Sequence, residues 1–403
     1  MRILQVCKKF PYPLKDGESI AINNLSKSLN DLGADMTLLA MNTTKHYFDL
    51  KGQNNPFDHY QEIITVDIDN TIKLKDAFLN LFSRQSFHIS RFVSRDFEKA
   101  LIRLLKRSSF DVIQLETLYL APYIPLIRKY SDARISMRAH NVESEIWTRI
   151  TNNTSSFPKK IYLKYLSDKL HRFECRMLHH YDILMPITSR DLGIFRQMGF
   201  KGNAVVVPIG LDSTEYKADY DSFRKKLSIS FIGSLDWMPN IEGLRWFLKN
   251  VWGKIQKELP GIQLHIAGRN TPDWLKNIKK KNIVVHGEVE DAAAFINEHS
   301  IMVVPLLSGS GMRAKILEGM ALGKVVLTTR IGLEGIDATD KQEILIGDDV
   351  RDMVKAVKWC SKQNGRLEMV GRRACDFVQS NYDSMEIARK VYKAYSSTTV
   401  EIV

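Results

Sequence analysis

Cysteine is scarce in this chain: Cys7, Cys175, Cys360 and Cys375 are the only four in 403 residues, and they lie far apart with no C-x-x-C pair. That spacing speaks against a zinc site, a disulfide framework and a secreted scaffold. Long apolar runs are missing too, and none approaches the roughly 20 residues that a helix needs to cross a bilayer. Low-complexity tracts and short repeats are absent. The apolar segment in the opening "MRILQVCKKFPYP" is too short for the core of a signal peptide, and no small-residue cleavage site follows it. It reads as a first strand, and a reducing cytoplasm is the expected setting.

What is present is ordinary globular material, 44% hydrophobic and 26% charged. Single cores stop growing at roughly 250 to 300 residues, so the length predicts two domains. The net charge of +12 favours an anionic partner. Nucleic acid is not expected, because the cations are dispersed and neither zinc-finger spacing nor an RNA-binding aromatic signature occurs. Acidic lipid and phosphorylated small molecules remain.

Short β-branched runs alternate with longer amphipathic segments, the pattern of parallel sheets with helical crossovers. In the first half the strands are "RILQV", "DMTLLAM", "EIITVDI", "DVIQLE", "ARISMRA", "DILMPI" and "NAVVVPI", with helices at Ile20 to Leu32, Phe92 to Lys106 and Ile161 to His179. After "VVVPIGLDSTEY" the pattern restarts with "SISFIG", a helix from about Glu242 to Leu259, "IQLHIAG", "NIVVHG", "IMVVPL" and "KVVLTT". The fold class is α/β, with two domains in series over residues 1–208 and 209–380. In such sheets ligands sit beyond the carboxyl ends of the strands, so the loops that follow strands are the ones to read.

Five loops stand out. "KKFPYPLKDGES" offers Gly17 at a helix N-terminus, with Asp16 or Ser19 as the cap. "ISMRAHNVESEIW" brings His140 off a strand end, with Asn141 and Ser144 as residues that start a helix. In "SISFIGSLDWMPNIEGLRWF", Gly233 follows a strand and Ser234, Asp236 and Asn240 precede a helix, while Trp237 is either a lid or core. Gly268 and Gly287 end two further strands, and backbone groups around Glu288 and Val289 could read the edge of a flat base. In "SGSGMRAKILEGMALGKVVLTT", Ser308, Gly309, Ser310 and Gly311 expose backbone N–H groups ahead of a helix from about Met312 to Leu322. That makes an anion nest. Arg313 and Lys315 in its first turn oppose the helix dipole unless a negative ligand compensates, which suggests a diphosphate. Glu318 could accept hydrogen bonds from paired hydroxyls such as those of a ribose. The alternative is an i, i+3 surface pair of Lys315 and Glu318.

In this order the loops resemble the retaining glycosyltransferases of family 4, above all in "FIGSLDWMPN", "VVPLLSGSGMRAKILEGMALGKVVLTT" and "RAHNVES". The resemblance implies the GT-B fold, two facing Rossmann-like domains with the active site in the cleft between them, and a C-terminal helix in 381–403 crossing back to the first domain. It implies a nucleotide-sugar donor held by the second domain, and a glycan, lipid-linked or small-molecule hydroxyl acceptor held by the first. Glu318 matches the second glutamate of the family's E-x7-E motif, which holds the ribose. The first glutamate falls on Ser310, the usual arginine after F-x-G falls on Ser234, and the usual lysine has no match between Asn240 and Gly243.

The glycine-rich stretch resembles a variant subgroup in which the Arg and Lys of G-x-R-x-K occur together, so Arg313 and Lys315 are expected to neutralise the diphosphate. His140 corresponds to the histidine that approaches the transferred sugar, and Gly17 to the glycine loop beside the diphosphate. Gly233, Ser234, Gly268, Val289, Gly309, Ser310, Gly311 and Met312 complete the expected donor site. No cofactor and no metal are expected. Asp67-Ile68-Asp69 does match the D-x-D signature of metal-dependent transferases of the GT-A fold, but three-residue patterns are common by chance.

The helix "KKIYLKYLSDKLHRFECRML" sets Tyr162, Leu166, Leu170, Phe173 and Met177 along one face with cations elsewhere. It suits an anionic membrane surface, or a core face with a solvated basic side. Two other functions fit a double Rossmann layout: a nucleotide-sugar epimerase, and a non-enzymatic two-domain binding protein.

Overall fold

A computed structural model describes residues 1–14, 16–50, 57–71, 86–212, 214–309, 311–363 and 365–397. The chain forms two units, Met1–Gly210 with Met385–Val403, and Leu211–Ser384.

In the first unit the strands are β1 (Arg2–Cys7), β2 (Asp35–Thr43), β3 (Tyr60–Ile68), β4 (Val112–Leu115), β5 (Arg134–Ala139), β6 (Ile183–Pro186) and β7 (Asn203–Ala204). They make one sheet in the order β3-β2-β1-β4-β5-β6-β7, every pair parallel. The order reverses between β1 and β4, which is the switch point where such sheets bind ligands. β1, β4 and β6 are buried along almost their whole length because helices cover both faces. The expected strand "NAVVVPI" is paired as a strand only at Asn203–Ala204. Beyond it Val205 and Val207 still donate to the carbonyls of Leu184 and Pro186 at 3.0 and 2.8 Å.

Two antiparallel helices, Glu143–Asn152 and Phe157–Met177, pack beside this sheet. Leu166, Leu170 and Met177 are buried and Phe173 packs on the core, so the stripe considered for a membrane is the core face. The helix also starts earlier than expected, at Phe157, with Pro158 in its first turn. The last helix, Ser384–Ser396, buries Ile387, Val391 and Tyr395 in the core under β1 and β2.

The second unit repeats the plan with β8 (Ser228–Ile232), β9 (Gln263–Ala267), β10 (Ile283–Gly287), β11 (Ile301–Val304), β12 (Val325–Thr328) and β13 (Leu345–Ile346). Its order is β10-β9-β8-β11-β12-β13, all parallel, with the switch point between β8 and β11. The helix expected from Glu242 begins at Met238, with Pro239 in its first turn, and Phe247–Val251 within it is π-helical. Among the described residues no helix is long and apolar enough to cross a membrane.

Candidate active site

The loops after β8 and β11 meet at the switch point of the second sheet. Gly243 lies so close to the second loop that a Cβ there would sit 2.2 Å from the Pro305 carbonyl oxygen. This contact brings the helix Met238–Trp246 against the loop that leaves β11. Ser308 Oγ donates to Glu242 Oε2 at 2.7 Å, and a Cβ on Gly309 would sit 3.8 Å from Pro239 Cγ.

The glycine-rich loop needs its glycines. Gly309 and Gly311 have φ of +118° and +80°, a region that costs other residues a steric penalty. A Cβ on Gly309 would lie 2.9 Å from Arg313 Nη2, and Arg313 Nη1 donates to the Gly311 carbonyl. The guanidinium is therefore folded into the loop and buried. Arg313 is the N-cap of the helix, which runs Ala314–Ala321, rather than a residue of its first turn. Ser310 lies outside the described residues, and Met312 is buried.

Lys315 is in the first turn and points back to β8. Its Nζ donates to Asn240 Oδ1 at 2.6 Å, Asn240 Nδ2 donates to the Ser234 carbonyl at 2.8 Å, and a Cβ on Gly233 would sit 3.2 Å from the same Nζ. Burial and the nearby Arg313 push the Lys315 ammonium down to about 7, opposed by Glu318. Glu318 is pushed up by burial, opposed by Lys315 and a hydrogen bond from Tyr216. The alternative of a Lys315–Glu318 surface pair is thus corrected: Lys315 turns to Asn240 and Glu318 to Tyr216.

The remaining second-unit residues are more dispersed. Ser234 Oγ donates to Asp236 Oδ1 at 2.5 Å, and Trp237 is 41% exposed, so it is no core residue. Gly268 packs on Gly233, where a Cβ would meet the Gly233 carbonyl oxygen at 2.0 Å, and its N–H is already bonded to the Gly287 carbonyl at 2.7 Å. Val289 is half-buried in the loop after β10.

In the first unit Gly17 opens the helix Gly17–Asp31, and Asp16 is its cap, accepting from Ser19 N at 3.0 Å. Lys8 and Lys9, just past β1, reach Glu18 at 3.4 and 3.7 Å, and Lys9 reaches Asp16 at 2.8 Å. Burial opposes ionisation of Glu18, yet Lys8, Lys9 and His140 hold its carboxyl below the usual range.

His140 follows β5 directly and is not alone: its Nε2 lies 2.9 Å from Glu116 Oε2 at the end of β4. Asn141 and Ser144 do not cap the helix Glu143–Asn152. That task falls to Glu174 of the next helix, which accepts from Glu143 N and Ser144 N at 2.9 and 3.0 Å. Burial pushes the Glu174 carboxyl up to about 7. Asp67 accepts from Asn42 Nδ2 at 2.9 Å and Asp69 from Thr71 N at 3.0 Å. Neither belongs to a group of three or more metal-ligating side chains among the described residues.

Sequence reasoning passed over Glu116, Arg138, Tyr216 and Glu174. Glu116 and Arg138 had a signal, since each interrupts or ends an apolar run that two covered faces should keep apolar. Tyr216 and Glu174 had none, because their partners are distant in sequence.

Residues 226–363 match the glycosyl transferases group 1 family. A protein of Klebsiella pneumoniae described as an uncharacterized 44.6 kDa protein in cps region is 25% identical over 415 aligned positions, covering 97% of this chain and 99% of that one. Among solved structures, sucrose-phosphate synthase of Thermosynechococcus elongatus superposes with a TM-score of 0.70 at 14% identity, covering 98% of both chains. Anabaena HepE in complex with UDP-glucose gives 0.64 at 11%, covering 98% of this chain and 99% of that one. The two Rossmann-like units share the GT-B fold of these structures, and the match to the group 1 family lies within the second unit, across its glycine-rich loop and the helix that follows it.

Proposed function

We propose that the chain is a retaining hexosyltransferase that moves a sugar from a nucleotide-diphosphate donor to a hydroxyl of a glycan or lipid-linked glycan, in polysaccharide biosynthesis. The observation that carries this reading is the seat at the second switch point. A glycine loop, the cations Arg313 and Lys315 and the half-buried Glu318 converge there within the segment matched to group 1 transferases. In this reading Lys315, Arg313 and the loop amides stabilise the charge that grows on the leaving diphosphate, without a metal ion or cofactor. Glu318, steadied by Tyr216, takes the ribose hydroxyls. The first unit takes the acceptor and supplies His140 to the transferred sugar. HepE bound to UDP-glucose and the relative from a cps region support the donor class and the pathway.

The same reading places the chain at an anionic membrane surface. Its support is a different face of the helix Phe157–Met177 from the buried one: Phe157 and Ile161 are 74% and 57% exposed, and Lys159, Lys160 and Lys164 are exposed around them.

The test is a thermal-shift screen with UDP-, GDP-, TDP- and ADP-linked sugars, followed by turnover with the donor that stabilises. One base class should raise the melting temperature, since a ligand of the native state adds apparent stability. Product NMR should show the donor's anomeric configuration retained. Unchanged turnover with that donor in Arg313→Ala and Lys315→Ala would remove the diphosphate assignment.

A further inference from the structure

Among the described residues Glu116 is the most enclosed carboxylate of the first unit. It follows β4 at the switch point, is wholly buried, and is met by side-chain donors on all sides: Gln5 Nε2 and Gln114 Nε2 bond to Oε1, His140 Nε2 lies 2.9 Å from Oε2, and Arg138 Nη1 lies 3.9 Å from Oε2. Burial alone would raise its pKa, but His140, Arg138 and Gln5 hold the carboxyl below the usual range. An ionised carboxylate only accepts, so the hydrogen between it and the imidazole belongs to His140 Nε2. The ring's Nδ1 is then the nitrogen left over.

The carboxylate's own partners are fixed in turn. Gln114 gives its amide N–H to Glu116 and takes the Tyr395 hydroxyl on Oε1 at 2.7 Å, so neither end of the amide can turn without losing a bond. Tyr395 also lies 3.1 Å from Ser136 Oγ. On the other side Gln5 Oε1 takes the Tyr60 hydroxyl at 2.5 Å. Arg138, also wholly buried, donates to the Ala21 carbonyl at 2.8 Å. Gln5, Gln114, Glu116 and Arg138 have no exposure, whereas His140 keeps 8%. The network is therefore anchored at every point except the imidazole, where it reaches the surface. Stability alone does not call for such a cluster, because buried ion pairs are often replaceable by apolar side chains without loss.

We propose that Glu116 is the positioning residue of His140: it holds Nε2–H and leaves Nδ1 for the ligand, and Tyr395 braces this arrangement from the C-terminal helix through Gln114. This rests on the reading of His140 as the histidine at the transferred sugar. Residues that orient a metal-bound histidine typically cost about 10- to 100-fold in activity when changed, and a fall on that scale is expected here.

The experiment uses the full chain with the donor found above. Glu116→Gln keeps the shape, removes the charge and lets an amide N–H face the ring. Expected are an Nε2–H tautomer of His140 in wild type by 15N NMR, a redistribution toward Nδ1–H in Glu116→Gln, and a kcat fall of about 10- to 100-fold with donor affinity within about twofold. In a double-mutant cycle, Glu116→Gln should cost little more once His140→Ala is present. Tyr395→Phe, which keeps the carboxylate and its charge, should show a smaller fall in kcat of the same kind and guards against a Glu116 variant that fails to fold.

An unchanged His140 tautomer in Glu116→Gln overturns the positioning role, and so does an undiminished effect of Glu116→Gln in the His140→Ala background. If His140→Ala leaves kcat intact, the reading of His140 fails instead, and the tautomer alone decides whether Glu116 positions the ring.

Discussion

Lys315 Nζ donates to Asn240 Oδ1 at 2.6 Å across the switch point of the second sheet, joining the helix after the glycine-rich loop to the helix after β8. The bond holds a cation at the start of a helix, where the dipole disfavours it, and so close to the Gly233 backbone that a Cβ there would sit 3.2 Å from Nζ. An anion beside Nζ would offset that unfavourable contact with the dipole.

A pH dependence follows with a definite sign. Lys315 is held at about 7 in the folded chain against an ordinary 10.5. Between these values the unfolded chain keeps the proton and the folded chain has released it, so this group makes stability rise with pH. Urea unfolding at pH 7 and pH 9 should show a rise in wild type that shrinks in Lys315→Met. Donor binding runs the other way. A diphosphate beside Nζ favours the ammonium, so affinity should weaken above pH 7 in wild type and stay level in Lys315→Met. Parallel pH curves for the two proteins would refute the assignment of this lysine to the phosphates.

Glu318 and Tyr216 divide a different task. If the carboxylate holds ribose hydroxyls, Glu318→Gln should raise the donor KM more than it lowers kcat, by roughly tenfold for the loss of about 1.5 kcal/mol of charged hydrogen bonding. Tyr216→Phe should weaken donor binding by a smaller factor in the same direction. A 2′,3′-dideoxyribose donor should be bound equally by wild type and Glu318→Gln, and a persisting difference would argue against ribose contact.

The fold was legible because most sheet strands are short apolar runs, and several of them end at a glycine, a histidine or a carboxylate, as at Gly233, Gly268, His140 and Glu116. Those endings placed Gly233, His140 and the loop Ser308–Gly311 on the ligand side of the sheets. The partners were not legible. The local pattern puts Asn240 before a helix, whereas it lies inside one and faces Lys315, because Pro239 lets the helix begin a turn earlier. Glu174 is 31 residues from the N–H of Glu143 that it caps, and only the helical hairpin brings them together. Local pattern tells which face a residue takes, while pairing between distant polar side chains depends on packing that no window of sequence contains.

Gly243 carries a packing prediction. Its missing Cβ leaves room for the Pro305 carbonyl, which belongs to backbone and cannot swing aside. Gly243→Ala should force the helix Met238–Trp246 away from the β11 loop and cost about 1–3 kcal/mol. That corresponds to a drop in melting temperature of roughly 2–4 °C per kcal/mol for a unit of this size. Because the same helix carries Asn240, donor affinity should fall with it. A melting temperature within 1 °C of wild type, an order-of-magnitude threshold of about 0.3 kcal/mol, would show that the contact is slack.

The membrane proposal turns on one exposed stripe. Phe157 and Ile161 stand one helical turn apart, with Ile150 of the antiparallel helix also 43% exposed, and Lys159, Lys160 and Lys164 beside them. Each lysine near an anionic leaflet contributes about 1 kcal/mol, so replacing the three by Gln should lower partitioning onto phosphatidylserine-containing vesicles by roughly 100-fold. Phe157→Ser with Ile161→Ser should weaken binding while leaving its salt dependence in place, because those side chains act by apolar burial and the lysines by charge. Sedimentation with anionic and neutral vesicles at low and high salt separates the two contributions. A wild-type protein that stays in the supernatant with anionic vesicles at low salt removes the membrane from the function altogether.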